Sequence, residues 1–522
     1  MSRKPEDIRT EILHLVKEYS ILTHQANYPP ELRNTLFIPE QSAVPYAGRV
    51  FDHHEVVAAV DSTLEFWLTL GKEGAAFEKE LAAYLGVRQS VLTNSGSSAN
   101  LLAVSAITSH KIQPEKRLRK GDEVITCAAG FPTTVSPIVQ VGAIPVFLDN
   151  DPLTGNIRAD FLEEAYNPGK TKAVVIAHTL GNPFDLKTVL GFCRKYDLWL
   201  IEDNCDALGC SYTLKTEDAK TLELDHLLRL ADGGEHTQVY YSGQKKEYLT
   251  APTGCFGDIS TQSFYPPHHL TLGEGGAVNI VRDFQLKIIV ESIRDWGRDC
   301  YCPSGVDNTC KKRFQWQLGD LPEGYDHKYI YSHLGYNIKP LDIQAAIGRQ
   351  QLRKLNYFIE ARKQNWEYLR RGLGDLDDLF EFTLPTHASC WVDPKGSNLE
   401  LKSQFEWSEE GAKVDPSWFG FMILVKPTAP FSKSELAAFL DERKIGNRML
   451  FGGNLLRQPV FVQLKKDDPD AFRVVGALKG ADRIMNEAIF VGTYPGLSNV
   501  MLDYVVTSIK EFVISRCQNG NS

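Results

Sequence analysis

The chain has 522 residues, of which 43% are hydrophobic and 24% charged, the balance of a globular protein with two or three domains. Its net charge of −9 argues against general binding to nucleic acid or to acidic membranes. No apolar run approaches the roughly 20 residues of a membrane helix, and the charged N-terminus is unlike a signal peptide, so we expect a cytoplasmic protein.

Residues 1–75 predict an N-terminal helical arm, in which two helices flank a loop rich in proline and aromatic residues. A large domain is predicted for residues 76–354, where short apolar runs alternate with helical stretches. This alternation indicates an α/β fold with a mostly parallel sheet and helices on both faces, and ligands gather at the strand ends of such sheets. The predicted strands are 91–93, 122–126, 144–149, 173–178 and 198–203.

Two polar, charged stretches interrupt this rhythm and predict surface insertions, one over about 214–252 and one over about 387–415. No function follows from either stretch. Beyond about residue 355 the order changes to a long helix, a strand and further helices. We therefore predict a smaller α+β C-terminal domain over residues 355–522.

Small polar residues follow the strand at 91–93, and a helical pattern begins directly after them. A helix N-terminus with free N–H groups suits a phosphate, which makes Gly96 and Ser97 candidate contacts. A plain helix cap explains the same residues, and an acid at a strand end, such as Asp203, is often a turn residue. By themselves these residues leave both interpretations open.

The stretch 261–276 begins like a buried strand, carries His268 and His269 where the chain leaves it, and ends in a Gly-rich turn. An imidazole moves protons near neutral pH, so a catalytic histidine fits this place. Paired histidines after a strand are also compatible with ordinary surface or hydrogen-bonded residues.

Three of the ten cysteines lie within eleven residues, at Cys300, Cys302 and Cys310. In a reducing compartment such clustering points to metal or redox work rather than to disulfides. Four thiolates suit either an iron–sulfur cluster or zinc. Zinc sites favour two to four residues between paired cysteines, and this spacing departs from that pattern, but the sequence alone leaves both metals open.

Together these segments resemble, in order and over nearly the whole chain, the CDP-6-deoxy-L-threo-D-glycero-4-hexulose 3-dehydrase family, which is of the DegT/DnrJ/EryC sugar aminotransferase type. The matching stretches are LTNSGSSANLLAVSAITS, AAGFPTTVSPIVQ, AHTLGNPFDL, LIEDNCDALG, SFYPPHHLTLGEGGAV, RDWGRDCYC, VDNTCKKRF, GYDHKYIYSHLGYN and RIMNEAIFVGTYPGL. The resemblance implies the type I fold of pyridoxal phosphate (PLP)-dependent transferases, which is aspartate aminotransferase-like.

In such enzymes pyridoxamine phosphate (PMP) condenses with the 4-keto group of a nucleotide-linked 4-keto-6-deoxyhexose. A base removes a proton from the C4′ carbon of the cofactor, and the hydroxyl at sugar C3 is expelled. By the resemblance His268 stands where related aminotransferases carry a lysine and is the base, because an imidazole cannot hold PLP covalently as lysine does. Asp203 matches the carboxylate that keeps the pyridine nitrogen protonated.

The resemblance also implies the other cofactor contacts. Phe131 matches the aromatic residue that stacks on the ring, and Asn182 matches a contact to the ring oxygen. Gly96, Ser97 and Ser263 match phosphate contacts. Asn337 matches a residue that a neighbouring subunit offers to the phosphate, which implies a homodimer with shared active sites.

The family carries a [2Fe–2S] cluster on four cysteines, and seven residues separate Cys302 from Cys310 here, as the family pattern requires. The resemblance makes Cys205 the distant fourth ligand beside the segment 300–310, although its gap to Cys300 is longer than in the family. The insertion at 214–252 lies in this gap, where a surface insertion adds little free energy. Cys210 and Cys255 lie in the same interval and are rival ligands.

The resemblance implies that the cluster passes electrons singly to give a 4-keto-3,6-dideoxysugar, as in lipopolysaccharide O-antigen synthesis. No convincing G-x-G-x-x-G motif follows a strand, so we expect the electrons to come from a separate NADH-dependent flavin/iron–sulfur reductase. The basic residues Arg448, Arg457, Lys311, Lys312 and Arg313 are candidates for a nucleotide diphosphate, but they do not distinguish CDP from dTDP, UDP or GDP.

Three alternatives remain. The first is a cluster-free PMP/PLP sugar 3-dehydratase, against which the cysteine set counts. The second is a nucleotide-sugar aminotransferase, against which the missing lysine counts. Lys245 and Lys246 in the insertion are nominally available for that role, but they precede no Gly-rich turn. The third is a zinc-stabilised, non-catalytic protein that binds sugar nucleotides.

Overall fold

A computed structural model describes residues 3–33, 36–231, 236–242, 245–302, 305–392, 404–408 and 411–519. The α-helices are α1 (Pro5–Thr23), α2 (His53–Leu64), α3 (Lys72–Leu85), α4 (Gly96–Ala106), α5 (Pro132–Gln140), α6 (Leu162–Ala165), α7 (Leu186–Lys195), α8 (Thr216–Thr221), α9 (Asp225–Leu230), α10 (Phe284–Arg294), α11 (Asp342–Gly372), α12 (Lys433–Glu442), α13 (Pro459–Asp467), α14 (Lys479–Glu487) and α15 (Asn499–Asn519).

The strands are β1 (Gln89–Thr93), β2 (Glu123–Cys127), β3 (Ile144–Leu148), β4 (Thr171–Ala177), β5 (Trp199–Asp203), β6 (Ser211–Lys215), β7 (Gln238–Ser242), β8 (Lys245–Pro252), β9 (Ile259–Ser263), β10 (Gly276–Ile280), β11 (Phe380–Phe382), β12 (Ala388–Val392), β13 (Gln404–Trp407), β14 (Lys413–Asp415), β15 (Gly420–Val425), β16 (Asn447–Met449), β17 (Arg473–Val474) and β18 (Ala488–Gly492).

The large sheet has the strand order β1-β10-β9-β5-β4-β2-β3-β17. Every pair from β9 to β17 is parallel, and β10 runs antiparallel to both of its neighbours. All residues of β2, β5 and β10 are buried, because helices cover both faces of the sheet. The mostly parallel sheet that the alternating pattern predicts is therefore present.

The N-terminal arm contains the predicted pair of helices. Helix α1 packs on α2, and both α2 and α3 pack on the long helix α11. Asp52 caps α2 by accepting a hydrogen bond from the backbone N–H of His54, and Glu55 completes the capping box. The contacts of α2 and α3 with α11 attach the arm to the rest of the molecule.

A second sheet, β11-β15-β18-β16, is antiparallel and packs with α12 and α15 in the C-terminal part. Helix α11, which spans 31 residues, continues without a break across the predicted boundary between residues 354 and 355. Strand β17 also joins the edge of the large sheet. The C-terminal residues are therefore tied to both sheets.

The two predicted insertions meet in a third sheet. The stretch predicted over 214–252 contains the last two residues of β6 together with α8, α9, β7 and β8, and β14 of the other stretch pairs with β6. This differs from the surface insertion that the sequence predicts, because five leucines of the stretch are buried: Leu214, Leu222, Leu224, Leu227 and Leu249. The helices here have only six residues, too few for a clear period. Within 387–415, residues 393–403 and 409–410 lie outside the described residues.

In the ranges that the structure describes, none of the helices combines the length and apolar character needed to cross a bilayer.

Candidate active site

A cavity of about 600 Å³ opens at the carboxyl ends of the large sheet's parallel strands. The β1–α4 turn, the β2–α5 loop and the ends of β4, β5 and β9 form its base, and the C-terminal part adds one wall. Ligand sites form at this edge because the loops leaving parallel strands converge there. Of the sequence-predicted site residues, the cavity brings together Gly96, Ser97, Phe131, Asp203, Cys205, Ser263 and His268.

The start of α4 forms one end of the cavity. Ser95 caps the helix by accepting a hydrogen bond from the N–H of Ser98 at 3.1 Å, while the first N–H groups of any α-helix have no partner within it. Gly96 is required here, because an added Cβ would lie 2.4 Å from the Cβ of Ser263. Both sequence interpretations of this turn therefore hold together: it is a helix cap, and it presents N–H groups suited to a phosphate.

Asp203 ends β5 at the base of the cavity and is only 4% exposed. Its Oδ2 accepts hydrogen bonds from Asn100 Nδ2 at 2.8 Å and from Thr134 Oγ1 at 2.7 Å. Thr261 in turn donates to Asn100 Oδ1 at 2.6 Å. The carboxylate is thus held in one orientation. These supporting residues were not predicted from the sequence. The available signal was the position of Asn100, one helical turn after Gly96 on the same helix.

Aromatic side chains and one arginine line the upper part of the cavity. Phe131 is 50% exposed and packs edge-on against Phe451, with ring centroids 5.8 Å apart. Arg448 also lines the cavity, and its guanidinium lies 4.2 Å from the ring centroid of Tyr46. Of the other candidates for a diphosphate, Arg457 pairs with Asp482 at 2.8 Å.

The two histidines after β9 have different surroundings. His268 lines the cavity, whereas His269 is 2% exposed and its Nε2 lies 2.7 Å from the carbonyl oxygen of Ser417. Burial, followed by the positive charge of Arg362, lowers the pKa of His268 to about 3. His268 is therefore a neutral imidazole, and His269 is a structural residue.

A residue to which the sequence analysis gave no role, Asp206, stands next to His268. Its Oδ1 lies 3.5 Å from His268 Nδ1, and both side chains keep slight exposure, 14% and 13%. Burial and the negative charge of Asp203 raise the pKa of Asp206 to about 8. The signal in the sequence is a second acid three residues beyond Asp203, at a strand end.

Two predicted cofactor residues do not line the cavity. Asn182 is fully buried elsewhere, where its Nδ2 donates to the carbonyl oxygens of Thr154 at 3.0 Å and Leu384 at 2.9 Å. Its Oδ1 accepts from the backbone N–H of Thr386 at 3.1 Å. These bonds hold loops together and leave the amide no place at a cofactor ring. Asn337 is exposed, away from the cavity of its own chain.

Cys300, Cys302 and Cys310 line a small separate cavity together with His327. They belong to residues 299–336, which we call the cysteine segment. Asp299 anchors it by accepting a hydrogen bond from Lys111 Nζ at 2.9 Å and another from Ser332. Burial acts to raise the pKa of the Cys302 thiol, but hydrogen bonds from Thr309 and the backbone of Cys310 lower it to about 7.

The fourth predicted ligand, Cys205, lines the cofactor cavity and not the cavity of the cysteine segment. Burial and the charge of Asp203 raise the pKa of its thiol well above the ordinary value. The rivals are buried as well: Cys210 Sγ donates to the carbonyl oxygen of Gly181 at 3.0 Å, and Cys255 Sγ donates to that of Pro252 at 2.8 Å. Three thiols therefore suit a metal centre, and the positions of these residues do not complete a set of four.

The cofactor cavity fits a pyridoxal-type group better. It offers a fixed carboxylate, a helix N-terminus, an exposed aromatic ring and a histidine, His268. Among the described residues, none forms a hydrogen bond with Nδ1 of this histidine. These four features are the partners that a pyridine nitrogen, a phosphate, a ring face and a reacting carbon need.

A profile of the DegT/DnrJ/EryC1/StrS aminotransferase family matches residues 51–510. The chain belongs to this family. The lipopolysaccharide biosynthesis protein RfbH of Salmonella typhimurium is 46% identical over 506 residues, which cover 97% of this chain and 98% of that protein. The dTDP-4-dehydro-2,6-dideoxy-D-glucose 3-dehydratase of Saccharopolyspora spinosa is 41% identical over 493 residues, which cover 94% of this chain and 91% of that enzyme.

Among solved structures, the Escherichia coli GDP-4-keto-6-deoxy-D-mannose-3-dehydratase with bound hydrated PLP superposes with a TM-score of 0.68. It is 24% identical, and the match covers 89% of this chain and 99% of that one. The comparison confirms the predicted α/β fold of the PLP-dependent transferases. The resemblance to the DegT/DnrJ/EryC type is likewise confirmed, and 3-dehydratases are among the relatives.

Proposed function

We propose that the chain is a PMP-dependent 3-dehydratase of a nucleotide-linked 4-keto-6-deoxyhexose. One observation carries the proposal: His268 stands at the cavity after β9, and no lysine is among the described residues that line the cavity. A family member without that lysine cannot hold PLP covalently, but it can bind PMP and move protons. The 3-dehydratases named among the relatives support the same reaction class.

In this proposal the residues of the cavity divide the work. Asp203, held by Asn100 and Thr134, keeps a proton on the pyridine nitrogen. The bound cofactor then supplies a conjugated ring that accepts the electron pair released at C4′. The N-terminus of α4 binds the phosphate, and Phe131 covers the face of the ring.

His268 removes the C4′ proton. Its pKa, lowered to about 3, keeps the imidazole neutral at physiological pH, so a ring nitrogen can accept a proton. The cavity beside it is partly closed by Phe419, whose ring centroid lies 5.4 Å from that of His268. Such a wall excludes water from the base. The same imidazole is placed to protonate the hydroxyl that leaves sugar C3.

Arg448 is the cavity-lining residue that we assign to the nucleotide diphosphate. Its guanidinium lies over Tyr46 and remains exposed, whereas Arg313 is engaged by Asp326 at 2.6 Å in the cysteine segment. An arginine is suited to phosphate because its fork of N–H donors matches two oxygens.

We further propose that the cysteine segment carries a [2Fe–2S] cluster, with Cys300, Cys302 and Cys310 as ligands and Cys205 as the fourth ligand implied by the resemblance. Replacing the C3 hydroxyl by hydrogen takes two electrons and two protons and releases water. The electrons come from an NADH-dependent flavin/iron–sulfur reductase. The three thiols around one cavity support the metal centre, and Cys205 has to approach them when the cluster assembles.

We also propose a homodimer in which Asn337 reaches the phosphate site of the partner. The cysteine segment exposes large apolar side chains next to Asn337, above all Leu334, which is 99% exposed. Tyr329 and Tyr331 are more than half exposed as well. Contiguous apolar surface of this kind marks protein interfaces. Sedimentation at several protein concentrations tests the dimer, and Leu334→Glu is expected to shift it toward monomer.

The decisive experiment combines spectroscopy and product analysis on protein purified without oxygen. Absorption bands between roughly 400 and 600 nm that bleach with dithionite are expected for the cluster. The PMP-loaded protein is then incubated with CDP-, dTDP-, UDP- and GDP-linked 4-keto-6-deoxyhexoses and a reductase. A product lighter by one oxygen atom supports the proposal.

Other outcomes select the alternatives. Loss of the oxygen with glutamate as the only reductant, in protein without iron, identifies a cluster-free 3-dehydratase. Replacement of the keto oxygen by an amine identifies an aminotransferase. No turnover of any of the four substrates, together with stoichiometric zinc, identifies a protein that only binds sugar nucleotides.

A further inference from the structure

Two side chains that line the cavity, Asp206 and His268, lie beside a buried arginine, Arg362. Asp206, at the end of the β5 loop, has its Oδ1 3.5 Å from His268 Nδ1. That nitrogen is buried and has no hydrogen-bond partner within the described part of the chain. Asp206 is therefore the acceptor placed to receive it, after a small closure of the kind that active sites undergo on loading.

Arg362, on α11, contacts the backbone of His268 and is 1% exposed. Its Nη2 donates to the carbonyl oxygens of Pro267 and His268, each at 3.1 Å. Its Nη1 donates to the carbonyl oxygen of Trp418 at 3.3 Å. Within the described part of the chain Nε is buried without a partner, so the hydrogen bonds of the two Nη groups are the ones that fix the backbone carrying the imidazole.

We propose that Asp206 and Arg362 are positioning residues for His268: Arg362 fixes the backbone that carries the imidazole, and Asp206 holds the ring at Nδ1. The inference rests on the proposed role of His268 as the base. Neither residue touches the reacting atoms.

The contact matters because a neutral imidazole has two distinct nitrogens, one with a hydrogen and one without. A hydrogen bond between Asp206 and Nδ1 fixes the orientation of the ring, and with it the position of Nε2.

The first test measures the state of His268 Nδ1 directly in the full-length, PMP-loaded protein labelled with ¹⁵N-histidine. The signals of His268 are identified by their loss in His268→Asn. In the wild type the Nδ1 signal is expected to show a hydrogen bond, because Asp206 is the group that lies beside it. In Asp206→Ala, which has no group to hold Nδ1, this hydrogen bond is expected to be lost. An unchanged Nδ1 signal in that variant overturns the assignment of Asp206.

The second test follows exchange of the C4′ hydrogen of bound PMP with solvent. Asp206→Asn is expected to slow exchange about 100-fold, the lower end of what a general base contributes, with PMP affinity unchanged. Asp206→Glu, which keeps the carboxyl group, is expected to recover part of the rate. The matched control is Asp197→Asn, a carboxylate whose side chain is 79% exposed on the surface.

Arg362→Lys keeps the charge but has fewer donors for the carbonyl groups. It is expected to slow exchange about 10-fold without removing the hydrogen bond at His268 Nδ1, and a wild-type rate in this variant overturns the assignment of Arg362. The role of His268 and the roles of its two neighbours can be disproved separately. If His268→Asn exchanges normally, the proposed function falls. If His268→Asn is inactive but the Asp206 variants behave as wild type, only the present inference falls.

Discussion

The cofactor cavity and the cysteine segment are built in different ways. In the cavity the residues that would hold the cofactor lie at the end of a strand or the start of a helix, and Asp203 accepts hydrogen bonds from Asn100 and Thr134. In the cysteine segment the described residues form one short 3₁₀ turn, His327–Tyr329, between long loops. A site on regular elements is complete before its ligand binds, whereas a loop site is completed by its metal or partner.

The pKa values of the thiols also differ between the two regions. In the cavity, burial and the charge of Asp203 raise the pKa of Cys205 well above its ordinary value. In the cysteine segment, hydrogen bonds lower the pKa of Cys302 to about 7 in spite of burial. A thiolate is the metal-binding form of cysteine, so of these two thiols Cys302 is the better prepared ligand.

The largest expected effect is confined to the cysteine segment. Cys302→Ser removes the thiol with the lowered pKa and is expected to reduce bound iron to background after reconstitution. PMP affinity is expected to stay within twofold of wild type, because none of the described groups that hold Asp203 lies in the segment. Iron analysis and a PMP titration measure both.

Cys390→Ser is the matched control, since Cys390 lies on β12, outside both regions. Iron retained in Cys302→Ser at the wild-type level would contradict a cluster in this segment.

The next effect is confined to the cavity. His268→Asn keeps a polar side chain of similar size but removes the base, and is expected to slow product formation by about 10²–10⁴-fold. Iron content and the cluster spectrum are expected to be unchanged. A fall in iron equal to that in Cys302→Ser would show that the two regions depend on each other.

A smaller effect tests how the cysteine segment is held. Asp299→Asn weakens the contacts with Lys111 and Ser332, and is expected to cost about 1–2 kcal/mol locally. Limited proteolysis of the segment is expected to speed up about 10-fold, with the melting temperature of the whole protein nearly constant.

Asp320→Asn, an exposed residue of the same segment, is the control and is expected to be cleaved at the wild-type rate. Equal cleavage of both variants would show that Asp299 does not anchor the segment.

The sequence predicted the parallel sheet and the placing of Asp203 and His268 at one edge because these follow from local patterns. Adjacent side chains of a strand point to opposite faces, so the two acids at the end of β5 lie on different faces of the sheet. Asp203 faces the cavity, whereas Glu202 contacts His178 and accepts hydrogen bonds from buried backbone N–H groups on the other side. The sequence did not predict the role of Asp206, because its meeting with His268 depends on how two loops fold.

The smallest expected effect concerns Asn182, where the resemblance and the geometry disagree. Its three hydrogen bonds go to Thr154, Leu384 and Thr386, so Asn182→Ala is expected to lower stability by about 1–3 kcal/mol and leave PMP affinity unchanged. Asn100→Ala is the comparison, because it removes a donor to Asp203 and is expected to weaken PMP binding about 10-fold. Calorimetric titration with PMP measures the affinity of both variants. A tenfold loss of PMP affinity in Asn182→Ala would show that Asn182 contacts the cofactor and that the loop carrying it moves when the cofactor binds.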